Sequence, residues 1–220
     1  MGLEDGLSVN DIKKNSFIYS QVVEDDYNGW FDERSQYLAF ETSLSIVQYS
    51  GKSLKGESLL DVGCADGAMY GYLTQNFGDS IKYRGVDIDP RTLDIARKRY
   101  PGIQVEQRDL LLDPIEADFS YSIACGSLYG RLDDIDNNDF LKEILARMWQ
   151  STRYGMSFNF LPYIPRVQIH SSFLYLYKRD RVEKMCNELS GSKRVFMHDR
   201  VDRYDADTVD YFTDVFVVRD

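Results

Sequence analysis

Asp61-Val62-Gly63-Cys64-Ala65-Asp66-Gly67, directly after the apolar run Ser58-Leu59-Leu60, decides the fold. An apolar strand that runs into a glycine-punctuated turn and then into a helix is how α/β folds cradle a nucleotide. Glycine at 63 and 67 lacks the Cβ that would hold a ligand away from the backbone, and it permits the dihedrals of a tight turn. Ala68 to Phe77 reads as the helix that follows, with Met69, Tyr70, Leu73 and Phe77 on one face.

Spacing separates the nucleotide families. The dinucleotide fingerprint is G-x-G-x-x-G, whereas the glycines here fall as G-x-A-x-G, with Gly71 four positions further on. The stretch resembles the first motif of class I S-adenosylmethionine-dependent methyltransferases, D-x-G-x-G-x-G, with Ala65 at the middle glycine. On this motif alone, a structural turn with no ligand stays open.

The residues downstream extend the pattern. Ile81 to Val86 is a second strand candidate leading into Asp87-Ile88-Asp89-Pro90, and Asp87 lies about twenty residues past Gly67, where a ribose-binding acid belongs in a Rossmann-like unit. Asp89 and Pro90 read as an N-cap and first helical position, with Leu93, Ile95, Ala96 and Tyr100 continuing that helix. Ile103 to Arg108 makes a third strand ending at Asp109-Leu110, and Phe119 to Ala124 a fourth, followed by Cys125-Gly126-Ser127. In doubly wound sheets, ligands bind outside the carboxyl ends of the strands.

The order continues with a helix from about Asn138 to Gln150, a strand near Tyr154 to Phe160, a helix from Asp180 to Leu189, and strands near Arg194 to His198 and Tyr211 to Arg219. The resemblance therefore implies an α/β, Rossmann-like, doubly wound sheet of seven strands with an antiparallel last strand and helices on both faces. On the same resemblance, residues 1–57 are expected to form an N-terminal helical cap and residues 58–220 the methyltransferase core. It also implies S-adenosylmethionine as cofactor, held by Asp61, Gly63, Cys64, Ala65, Gly67, Asp87, Ile88, Asp109, Leu110, Cys125 and Gly126. Asp87 would hold the ribose, and Asp109 with Leu110 would read the adenine. Asp109 as a plain loop acid capping the next turn is the competing reading. Gly29-Trp30 with Ser35-Gln36, Phe158-Asn159-Phe160-Leu161 and Arg194 to His198 resemble a stand-alone group of class I methyltransferases of unassigned substrate.

Composition bounds the function. At 220 residues and 43% hydrophobic, the chain can bury one substantial core, and no linker or repeat divides it. No apolar run approaches the roughly 20 residues that span a bilayer. Met1 to Lys14 carries Glu4, Asp5 and Asp11 without an apolar core, so a cytoplasmic protein is expected. Cys64, Cys125 and Cys186 form no C-x-x-C pair, which fits a reducing compartment. Cys64 and Cys125 are expected to line the ligand pocket, and no metal is expected.

Thirty-six acids against 26 bases give a formal charge of −10. Nucleic-acid enzymes carry a basic patch that neutralises phosphates, and here the densest run, Lys178-Arg179-Asp180-Arg181, is interrupted by an acid. The Asn/Asp-Pro-Pro-Tyr turn of amino-methylating DNA and glutamine enzymes is also missing, its position reading Ala124-Cys125-Gly126-Ser127. A small-molecule acceptor is the leading expectation, with a protein acceptor second.

The acceptor is expected between the cap and the segments after the fourth and fifth strands. Asp32 to Tyr49 reads as an amphipathic helix with Leu38, Phe40, Leu44, Ile46 and Val47 inward and Gly51 as terminator. Trp30 is a candidate to cover the cofactor and Arg34 to pair with its carboxylate, against plain packing and a solvated arginine. Pro162-Tyr163-Ile164-Pro165 and Phe173 to Tyr177 offer an aromatic wall suited to a cationic acceptor. His170, in the same region, is the candidate general base, while His198 ends the sixth strand. Two other readings stay open, a nicotinamide-dependent oxidoreductase and a non-catalytic cofactor-binding scaffold.

Overall fold

The structure is a computed structural model, and it describes residues 32–116, 118–133, 135–165, 173–203 and 209–220. Trp30 and His170 lie outside those residues. The seven strands are β1 (Ser58–Val62), β2 (Lys82–Asp87), β3 (Val105–Gln107), β4 (Phe119–Ala124), β5 (Thr152–Phe160), β6 (Lys193–Arg203) and β7 (Val209–Arg219). They form one sheet in the order β3-β2-β1-β4-β5-β7-β6. β1 to β5 run parallel, and β7 enters antiparallel between β5 and β6.

The central parallel strands β1 and β4 are buried on both faces, as βαβ crossovers require. All six residues of β4 are buried, and so are Leu59 to Val62. One face packs on α5 (Asn137–Gln150) and α6 (Arg179–Glu188) through Leu141, Leu145, Met148, Trp149, Val182 and Cys186. The other face carries α1 (Glu33–Leu44), α2 (Ile46–Ser50) and α3 (Ala68–Phe77), with Phe40, Ile46, Met69 and Leu73 meeting Leu59, Tyr121 and Phe216. α4 (Pro90–Arg99) packs on β2 and β3 through Leu93 and Ala96.

The helix ends follow their caps. Asp32 and Ser35 form a reciprocal capping box at the start of α1, and Asp89 caps α4 with Pro90 at its first turn. Gly51 ends α2 in the left-handed conformation, as the terminator reading expects.

Four details depart from the sequence reading. The single helix expected over Asp32 to Tyr49 is instead two, broken at Ser45, whose hydroxyl and amide both bond back to the Thr42 carbonyl. Leu38 is 44% exposed instead of inward, and Phe77 and Ile95 likewise face solvent. The third strand is only three residues long, because Ile103 drops out of the edge to pack under Gly67. β6 runs past His198 to Arg203, so that histidine sits mid-strand.

Candidate functional site

The turn after β1 is shaped by backbone contacts. The amides of Gly63 and Cys64 both donate to the Val86 carbonyl, at 2.8 and 3.1 Å, and pull the turn over the end of β2. Gly63 has φ +76, and a Cβ there would lie 2.3 Å from the Ser127 Cβ. The Ser127 hydroxyl in turn donates to the Val62 carbonyl at 2.9 Å. Glycine at 63 is therefore demanded by the loop after β4, which approaches the turn from the neighbouring strand. A Cβ on Gly67 (φ +79) would meet Ile103 at 2.8 Å, so this glycine serves the packing of α3 against the edge of the sheet. Ala65 holds φ +44, an uncommon conformation for a residue with a Cβ.

Asp87 at the end of β2 stabilises that conformation. Its Oδ2 accepts from the Ala65 amide at 2.9 Å and its Oδ1 from the Asp89 amide at 2.9 Å. Burial pushes its carboxyl above the ordinary range, while those amides pull it back. Beneath the turn lies Asp61, 3% exposed, which accepts from the Tyr83 hydroxyl at 2.7 Å. Burial pushes the Asp61 carboxyl up to about 7, with the Tyr83 hydrogen bond opposing. Cys64 is buried, and its sulfur occupies the space that a side chain at Gly85 would need. Its thiol, raised by burial, thus packs on β2 and not into an open pocket.

Asp109 follows β3. Its Oδ1 accepts from the Leu111 amide at 2.9 Å, the turn-capping bond of the competing reading, while its backbone carbonyl accepts from Leu112 and Asp113. Burial raises its carboxyl as well. Leu110 is buried at 4% exposure, and Ile88 is half-buried beside Asp87.

At the end of β4, Cys125 is half-buried as a residue, and burial pushes its thiol up to about 12, with the nearby Ser43 side chain of α1 opposing. The Gly126 amide (φ +80) donates to Asn159 Oδ1 of β5 at 2.8 Å. Thus Gly63, Asp87, Asp109 and Gly126 gather along the carboxyl edge of β1 to β4. Arg34 does not join them on present contacts, standing exposed in the first turn of α1. The aromatic wall is also only partial. Tyr163 is 53% exposed, but Tyr177 is fully buried and its hydroxyl donates to the Leu128 and Asn137 carbonyls. Lys178, Arg179 and Arg181 open α6 on the surface.

Sequence reasoning missed Ser127 and Tyr83, which fix Gly63 and Asp61. It also missed the residues beyond Asn159, where Arg200 of β6 bonds to Asp202 and, at 2.9 Å, to Asp214 of β7. A lone amide inside the apolar run Met156-Ser157-Phe158-Asn159-Phe160-Leu161 was the available signal.

Residues 59–149 match the sequence model of the methyltransferase domain. No curated protein sequence matches the chain. Among solved structures, magnesium protoporphyrin IX methyltransferase from Synechocystis PCC 6803, with bound S-adenosylmethionine, superposes at TM-score 0.66 and 14% identity, covering 98% of this chain and 100% of that one. The 1,6-didemethyltoxoflavin-N1-methyltransferase of Burkholderia thailandensis superposes at TM-score 0.69 and 14% identity, over 98% and 92% of the two chains. An amino pentose methyltransferase from Micromonospora echinaspora gives TM-score 0.61 and 14% identity over 90% and 97%. At such identities these likenesses speak for the fold.

Proposed function

We propose that this chain, which carries a class I, Rossmann-like methyltransferase domain, moves the methyl group of S-adenosylmethionine to a small-molecule acceptor. The observation that carries the reading is the convergence of the Gly63 to Gly67 turn, Asp87, Asp109 and Cys125-Gly126 at the ends of four adjacent strands in the order β3-β2-β1-β4. Ligands of doubly wound sheets bind at that edge.

The residues present fit the cofactor. Each Asp87 oxygen takes one amide and keeps a further lone pair, so the carboxylate can still accept from two ribose hydroxyls. Asp109 commits Oδ1 to Leu111, leaving its second oxygen for the adenine amino group, with the Leu110 amide beside it. The turn from Gly63 through Ala65 to Gly67 would admit the methionine end, with Asp61 and Cys64 supporting it from below and Ile88 bordering the ribose. Cys125 and Gly126 would border the reacting methyl. Trp30, Arg34 and His170 are kept as candidates for cover, carboxylate partner and base.

When bound, S-adenosylmethionine supplies a methyl group on a sulfonium already activated for displacement. What is left to the chain is alignment and exclusion of water, and proximity alone supplies roughly 7 to 11 kcal/mol in such reactions. The bond from Ser157 Oγ to the Ser43 carbonyl, 2.9 Å and buried, fastens helix α1 to β5 and supports reading it as a cap on the same domain. The −10 charge supports a small acceptor over a nucleic acid.

Calorimetric titration with S-adenosylmethionine, S-adenosylhomocysteine and NAD in parallel tests the reading. Micromolar binding of both adenosyl ligands and none of NAD is expected. Binding of NAD alone, or of none of the three, overturns it.

A further inference from the structure

Among the described residues, four buried side-chain polar atoms lack a hydrogen-bond partner: Asn159 Nδ2, Arg200 Nη2, Asp202 Oδ1 and Asp214 Oδ1. All four belong to one cluster. Asn159 on β5 stands directly opposite Asp214 on β7, Arg200 Nε reaches Asp214 Oδ2 at 2.9 Å, and Arg200 Nη1 also bonds Asp202. The Arg200 guanidinium lies 4.8 Å over the Phe212 ring. The side chains of Asp202 and Asp214 are 3% and 2% exposed, and Arg200, at 12%, is the more open member of each pair.

Buried polar groups are hydrogen-bonded in the great majority of cases, and a buried ion pair stabilises only when its remaining lone pairs and protons are also satisfied. This cluster is paired at the Arg200 guanidinium and leaves four buried polar atoms unsatisfied. It is also joined to the proposed reacting edge, because the other end of the Asn159 amide accepts from Gly126 N at 2.8 Å. β7 and β6 run antiparallel to each other and β7 to β5, so the first half of β7 and the last half of β6 lie at the same edge as the ends of β4 and β5.

We propose that Asn159, Arg200, Asp202 and Asp214 form the acceptor subsite, and that it grips a protonated amine carrying an oxygen on the neighbouring carbon. This rests on the methyltransferase reading above. Two carboxylates face one guanidinium, so the cluster lacks one positive charge. An ammonium supplies that charge and three donors, matching Asp202 Oδ1 and Asp214 Oδ1. Asn159 Nδ2 and Arg200 Nη2 are donors, and they require an acceptor atom beside the ammonium, which a hydroxyl or carbonyl oxygen provides. An anionic acceptor meets two carboxylates and is repelled.

The test uses the whole chain and three probes of one size: ethanolamine, ethylene glycol and glycolate, each titrated by saturation-transfer NMR with and without S-adenosylhomocysteine. Ethanolamine is expected to bind at least tenfold more tightly than the other two, and to lose that advantage in Asp214→Asn and Asp202→Asn. Equal binding of the three probes by the unmodified protein overturns the proposal, as does full ethanolamine binding by folded Asp214→Asn. The comparison of probes on the unmodified chain needs no variant to fold. Because the amine is also titrated without cofactor, failure of S-adenosylhomocysteine to bind is read separately, as failure of the methyltransferase reading.

Discussion

The Asp87 carboxylate accepts a hydrogen bond from the Ala65 amide at 2.9 Å, tying the end of β2 to the turn after β1. One side chain thus holds the turn in shape, and in the proposed reading the same carboxylate would also meet the cofactor ribose.

Asp87→Ala is expected to lower both cofactor affinity and stability. Losing a hydrogen-bonded charged group costs about 1–3 kcal/mol, so S-adenosylhomocysteine binding should weaken by roughly tenfold or more. The melting temperature should fall as well, because Ala65 loses the bond that holds its positive φ. Calorimetry and thermal unfolding on the same sample check both. Unchanged affinity in a folded variant removes Asp87 from the site.

Gly63→Ala should be among the most damaging small changes in the chain. It places a Cβ 2.3 Å from that of Ser127 at φ +76, adding overpacking to backbone strain. Each contributes about 1–3 kcal/mol. Ser127→Gly introduced alongside should recover the overpacking part and leave the strain. A double variant no more stable in urea than Gly63→Ala alone would mean that the clash is relieved by other means.

Asp61 predicts a slope of stability with pH. Burial pushes its folded pKa up to about 7, above an unfolded value of about 4. Between those two values the folded chain keeps a proton that the unfolded chain has released, so stability falls as pH rises through the window and levels off above it. The slope contributed is at most about 1.4 kcal/mol per pH unit. Asp61→Asn removes it, so the stability difference between unmodified and variant protein should change steadily from pH 4.5 to 7 and stay flat from 7.5 to 8.5. Tyr83→Phe deletes the bond that opposes the shift and should destabilise more at pH 8 than at pH 5.

The thiols should be slow. Burial pushes Cys125 and Cys186 up to about 12 and raises Cys64 further still, and the thiolate is the reactive form. Ellman's reagent at pH 8 should label none of the three rapidly in the folded protein and all three in guanidinium. Rapid labelling of Cys125 would place its sulfur in the open.

The sequence made some parts of this fold plain and hid others. Ala68–Phe77 and Phe119–Ala124 are found to the residue, since each is bounded by residues that cannot continue it, Gly67 and Gly78 for the helix and Cys125-Gly126 for the strand. The acids at 87 and 109 are equally legible, because the βαβ repeat fixes where strands end. Two things were not. Glycine reads the same in sequence whether it makes room for a ligand or for a neighbour, and Ile103 and Ser127 reveal the neighbour only in three dimensions. The charges of Asp199, Arg200 and Asp202 likewise look like the end of a strand, because Asp214, the partner that lets Arg200 be buried, is 14 residues away.

The placement of β7 between β5 and β6 bears on how the chain is assembled. Among the described strands, β6 pairs with β7 alone, so it stays without a backbone partner until residues 209–219 have been synthesised. Until then the outer edge of β5 is also unpaired, exposing a nine-residue strand. Closure of the sheet therefore waits for the last segment of the chain. A ribosome-bound nascent chain halted before residue 209 should be protease-sensitive from β5 onward, whatever the progress of its first four strands.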